Sequence, residues 1–214
     1  MRKTSGAEVI GHPWATIWTR PRATIRRIVE TDVRYQVSFL AILSGALIWL
    51  ERRWSSPSPA PAFPMLVVMA VIVGAIVGVV ELYINGALLK WAGAALGGVG
   101  SYAEVRAALA WSRVPVIVAV AIGILAILLG TDGPILGDEA DLTNSGASIL
   151  LLHGLLVMWG FVVMLKCVGE VHRFSAWRAL GSILLIGVVI VLIFGGAILF
   201  FGGLGRVLHP AVWV

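Results

Sequence analysis

Five apolar runs alternate with polar connections along this chain. Tyr35 to Leu50 is the shortest, Phe63 to Val80 is uncharged and runs into Glu81, and Val114 to Gly130 is also uncharged. Ala147 to Leu165 contains one His, and Ala179 to Gly203 is the longest. A bilayer core of about 30 Å needs roughly 20 mostly apolar residues wound as helix, and the last run can cross with some tilt. The pattern predicts an all-α polytopic membrane protein, a bundle of five transmembrane helices over about 35–50, 63–85, 114–130, 147–165 and 179–203. A cytoplasmic arm, 1–34, precedes the bundle, and a short external tail, 204–214, follows it.

The arm has its own periodicity. Pro21 suits the first turn of a helix, and Ile25, Ile28 and Val29 then share a face that Arg22, Arg26 and Arg27 largely avoid. This predicts an amphipathic interfacial helix on the inner leaflet. Trp14, Ile17 and Trp18 precede it with helical spacing, and Trp favours the headgroup zone. Trp14, Trp18, Arg20, Arg22, Arg26 and Arg27 are the candidate lipid-interface residues.

In the second span Gly74, Gly78, Glu81 and Asn85 fall in one stripe along a helix face. The glycines permit close helix packing, and the same face presents a carboxylate to the bundle interior. Counted from Phe63 at roughly 1.5 Å per residue, Glu81 lies about 27 Å along the span, near the inner boundary. Two readings stay open for it: an ion pair with Lys166, Arg106 or Arg113, or a proton or cation site. His153, about 9 Å into the fourth span from the outer side, is too far along the membrane normal to share a ligand with Glu81. It is expected as a neutral His hydrogen-bonded to a neighbouring helix. Asn85, Lys166 and Glu170 complete the candidate polar set.

The connections differ in kind. Ser55 to Ala62 is rich in Pro and Ser and predicts an extended link. Gly97, Gly98 and Gly100 break the chain, and Ser101 with Glu104 predicts a capping box. The helix so begun is expected to run along the cytoplasmic face with Arg106 and Arg113, and Pro115 either starts the next span or kinks a continuous helix. Ser175 is expected to cap the helix that follows the fourth connection.

Charge then sets the topology. The chain has 16 Lys and Arg. Arg2, Lys3, Arg20, Arg22, Arg26, Arg27 and Arg34 lie in the arm, Lys90, Arg106 and Arg113 in the second connection, and Lys166, Arg173 and Arg178 around the fourth. Only Arg52, Arg53 and Arg206 fall on the other side, and the third connection holds Asp132, Asp138, Glu139 and Asp141 with no Lys or Arg. Positive-inside sorting predicts a cytoplasmic N-terminus and an external C-terminus.

With 59% hydrophobic and 13% charged residues, the chain is no soluble core with a polar shell. Its net charge of +5 points to anionic lipid headgroups beside the spans and not to nucleic acid. The single Cys167 excludes an intrachain disulfide. No cleavable signal peptide and no lipidation signal is expected. The acidic loop departs from an EF-hand, and no nucleophile elbow, zinc motif or phosphate loop appears. The expectation is a protein with no enzymatic activity, no cofactor and no metal.

The segment His12-Pro13-Trp14-Ala15-Thr16-Ile17-Trp18-Thr19-Arg20-Pro21-Arg22-Ala23-Thr24-Ile25-Arg26 resembles the bacterial branch of the Ypt-interacting protein (YIP) domain family. So do Gly97-Gly98-x-Gly100-Ser101-Tyr102, leading to Ala110-Trp111-Ser112-x-x-Pro115, and Phe174-Ser175-Ala176-Trp177-Arg178. The resemblance covers about Trp14 to Phe200 and implies five spans with a cytoplasmic N-terminus in a bacterial inner membrane. Eukaryotic members are linked to small GTPases of vesicle traffic. This sequence lacks their long N-terminal domain and Asp-Leu-Tyr-Gly-Pro type of motif, which speaks against GTPase binding. A membrane scaffold that holds lipids, its own copies or another membrane protein is the first expectation. A small transporter or channel using Glu81, Asn85, Lys166 and Glu170 is the second.

Overall fold

The computed structural model describes residues 11–54, 62–128 and 144–208. The Pro- and Ser-rich link, except Ala62, and the acidic loop, except Asn144, lie outside them, as do Arg2 and Lys3. Among the described residues all regular structure is helical. In chain order the helices are α1 (Pro13–Thr16), α2 (Pro21–Asp32), α3 (Val37–Trp54), α4 (Phe63–Met69), α5 (Ala75–Ala95), α6 (Tyr102–Ser112), α7 (Val114–Leu128), α8 (Asn144–Val171) and α9 (Ala176–Leu208).

A π-helical turn, Ala70–Gly74, joins α4 to α5, so one helix runs from Phe63 to Ala95. It outlasts the expected span because no breaker precedes the pair Gly97 and Gly98. α6 and α7 also act as one membrane-length unit, and together with the Phe63–Ala95 helix, α8 and α9 they make four helices among the described residues that are long and apolar enough to cross a membrane. The protein is therefore a multi-pass membrane protein. α3 has 18 residues but ends on Glu51, Arg52 and Arg53, so its uncharged part, from Val37 to Leu50, is about 21 Å long. That falls short of a bilayer core, although α3 packs against α5, α6 and α7.

The short helix α6 corrects the sequence expectation. Instead of lying along a surface, it is enclosed by α2, α3, α5 and α8, with Val105, Ala107, Ala108, Ala110 and Trp111 fully buried. Its alanines leave little side chain to hold neighbours off, and the apolar run from Ala107 to Trp111 is covered on every side. The capping box at its start forms as its spacing predicts. Ser101 Oγ accepts from the Glu104 N–H at 3.3 Å, and Glu104 Oε2 accepts from the Ser101 N–H at 2.6 Å. A turn at Arg113 separates α6 from α7, which places Pro115 in the first turn of α7 where its missing N–H costs nothing.

The arm also differs from expectation. α2 forms over Pro21–Asp32, yet Ile25 and Ile28 are buried against α6 and α8, so the apolar face is covered by protein and not by lipid. An amphipathic pattern records only that one face needs covering, and here the bundle supplies the cover.

Candidate functional site

Among the described residues, Glu81, Glu170 and His153 each centre a separate polar group. In the first, the Arg113 guanidinium lies 3.0 Å from Glu81 Oε1 and donates to Ser44 Oγ at 3.0 Å. The hydroxyl of Ser44 in turn donates to the Ala41 carbonyl at 3.1 Å. Asn85, one turn beyond Glu81, donates to Glu81 Oε1 at 3.3 Å. The turn between α6 and α7 thus aims one cation at both α3 and α5. Arg106 lies instead over the Tyr83 ring, 4.4 Å from its centroid.

Glu170 anchors the second group. Its carboxylate accepts from Arg26 Nε at 2.7 Å and lies 4.0 Å from Arg22, so α8 holds α2 by charge where it also holds it by apolar contact. Lys166, one turn earlier, points its ammonium over Trp159 at 5.7 Å. The structure therefore does not bring Lys166 and Glu170 to Glu81.

The third group pairs His153 on α8 with Glu51 on α3, Nδ1 to Oε1 at 3.7 Å. A partly buried carboxylate, not a hydrogen bond to a neutral helix group, is what His153 meets. Glu51 escapes sequence reasoning because it sits beside two arginines at a helix end, where solvated charge is ordinary.

Gly74 and Gly78 face α3. A methyl on Gly78 would run into the Ala41 carbonyl and lie 2.8 Å from Gly45 Cα, and one on Gly74 would lie 2.7 Å from Ala46 Cα. Only bare backbone fits between these helices.

Trp111 joins the arm to the bundle. Its ring stacks on Tyr35 with centroids 5.9 Å apart and meets Trp14 edge-on at 5.8 Å, while its Nε1 donates to the Tyr35 carbonyl at 3.2 Å. Trp14 Nε1 donates to Gln36 Oε1 at 2.8 Å, and Gln36 turns the chain in the left-handed region at φ 52°. The indole N–H expected at lipid headgroups is spent on protein, and Trp18 packs on the same core. Arg20 and Arg27 lie on the exposed side of the arm.

Sequence reasoning missed His172. It follows α8, is 1% exposed, and is wedged against Gly93 in the last turn of α5 and against Gly98 and Gly100 of the connection between α5 and α6. Burial, then Lys90, holds the imidazole below its usual range, against the Leu89 backbone and Glu104. The signal was divided between a run of glycines and a histidine more than 70 residues away. No cluster of three metal-binding side chains occurs among the described residues.

A family model described as Yip1 domain matches residues 15–199, which takes in α2, both Ser-capped connections and the membrane helices as far as residue 199 in α9. The chain belongs to the Yip1 domain family. No curated protein and no solved structure matches it. In this Yip1 domain, Trp111, Glu170 and His172 lie inside the matched region, and Trp14 stands immediately before it.

Proposed function

We propose that this Yip1-domain protein is a non-enzymatic membrane scaffold, a module for lipid or protein interaction. The observation that carries this reading is that the charged candidate groups close on one another. Glu81 meets Arg113 and Glu170 meets Arg26, while His153 Nδ1 stands 3.7 Å from Glu51 without a hydrogen bond. The faces that α8 and α9 leave open to the surroundings are apolar, including Leu151, Leu155, Val191 and Leu192. Such faces suit lipid, a second copy or another membrane protein.

In this reading α3 crosses as a fifth span, supported on either side by α5 and α7. The N-terminus is cytoplasmic and the C-terminus external, in a bacterial inner membrane. The outward arginines of the arm take anionic headgroups, each worth about 1 kcal/mol near the surface.

One observation favours a transporter as the second reading: the Glu81 side chain keeps 47% of its surface open beside Asn85. Flux assays in sealed liposomes separate the two. A scaffold leaves proton and cation leak at the level of protein-free vesicles, and a transporter raises it.

A further inference from the structure

The ends of α5 and α8 are built alike. After α5 the Gly97 N–H bonds to Ala94 O at 3.0 Å and the Gly98 N–H to Gly93 O at 2.7 Å, with Gly97 at φ 84°. After α8 the Arg173 N–H bonds to Glu170 O at 3.0 Å and the Phe174 N–H to Gly169 O at 2.9 Å, with Arg173 at φ 58°. Both are Schellman closures followed by a serine cap. His172 locks the two together. Its Nδ1 accepts from the Gly100 N–H at 3.3 Å, its carbonyl accepts from the Val99 N–H at 3.4 Å, and its ring stacks on Phe174 with centroids 5.1 Å apart.

An imidazole nitrogen that accepts from an amide must hold a lone pair, so the ring is neutral with its proton on Nε2. Nε2 is buried and makes no well-formed hydrogen bond, the Leu89 backbone serving it only weakly. A second proton would set an N–H on Nδ1 against the Gly100 N–H. The ring has no room to step aside, because a methyl on Gly100 would already lie 3.2 Å from Nδ1 and one on Gly98 2.8 Å from Cγ. Of the charged groups around it, Lys90 on α5 opposes a cation and Glu104 on α6 favours one. Glu170, earlier on α8, is engaged by Arg26 and Arg22. Arg173, next in the chain, and Arg178 on α9 are exposed.

We propose that His172 is a pH-sensitive latch: neutral, it clasps the connection between α5 and α6 to the one between α8 and α9, and protonation releases them. The direction follows from the closed state, where burial and Lys90 hold the imidazole below its usual range. A released ring returns to an ordinary value of about 6.5. Closure is therefore complete above about pH 6.5 and is lost as pH falls below it.

Hydrogen exchange on the full chain in nanodiscs tests this, with rates corrected for intrinsic pH dependence and α7 as internal reference. Between pH 7.5 and 5.5, protection over residues 93–101 is expected to fall about tenfold relative to α7. His172→Asn presents an oxygen to the Gly100 N–H without titrating, and its protection should show no such step. Wild-type protection that follows α7, or an equal acid loss in His172→Asn, overturns the latch. Should that variant fail to fold, the wild-type His172 nitrogen shifts decide. They must show the Nε2–H tautomer at pH 7.5 and pass to imidazolium only below the usual value of about 6.5, and an Nδ1–H tautomer or an imidazolium at pH 7.5 overturns the proposal.

Discussion

Glu81 receives the Arg113 guanidinium at 3.0 Å, and the same cation reaches Ser44, so one charge pair ties the turn between α6 and α7 to both α5 and α3. Arg113 is the more enclosed partner, with 14% of its side chain exposed against 47% for Glu81. Glu81→Gln keeps the shape but strands a cation among apolar helices. The expected loss is about 1–2 kcal/mol, reduced from the fully buried case by the exposure of Glu81. A double-mutant cycle with Arg113→Met, followed by unfolding in detergent, reads the coupling. Additive losses would mean that the pair contributes nothing.

The helix contact at Gly78 is tight enough for one methyl to matter. Gly78→Ala should cost about 1–3 kcal/mol and Gly78→Leu more, since the first added atom meets the Ala41 carbonyl. Gly187 is the control, because nothing lies within 4 Å of a methyl placed there. Thermal stability in detergent should separate the two sites, and equal responses would refute the packing face.

Glu170 is the electrostatic anchor of the arm. Glu170→Gln weakens the hold on Arg26 and Arg22 while Ile25 and Ile28 remain seated, so the arm should open about fivefold more often, equivalent to about 1 kcal/mol. Hydrogen exchange over Pro21–Asp32 measures this, and raised salt should reproduce part of the effect in wild type. Unchanged exchange would leave apolar contact as the whole of the attachment.

Arg173 occupies a left-handed position that favours glycine. Arg173→Gly should raise stability by about 1 kcal/mol, because the clash of Cβ with the backbone disappears. Lower stability would show that the Arg173 side chain makes contributions exceeding its strain.

What the sequence discloses here depends on the range of each interaction. The Ser101 to Glu104 box is legible because both partners lie within one turn. The apolar runs announce membrane helices because a bilayer accepts few charges, and for the same reason α3 is ambiguous, its last turn holding Glu51, Arg52 and Arg53. The stripe of Gly74, Gly78 and Glu81 is visible as spacing, but spacing does not say which helix faces it or which cation answers the carboxylate. Ile25 and Ile28 read equally well as a face for lipid or for protein. His172 was hidden because its surroundings come from glycines of another connection, brought beside it only by the packing of α5, α6 and α8.

Proton and cation flux through purified protein in sealed liposomes, wild type beside Glu81→Gln at two pH values, tests the scaffold reading most directly. With correctly inserted, folded protein, both should leak no faster than empty vesicles. Flux in the wild type that Glu81→Gln abolishes would contradict it and make Glu81 a transport residue.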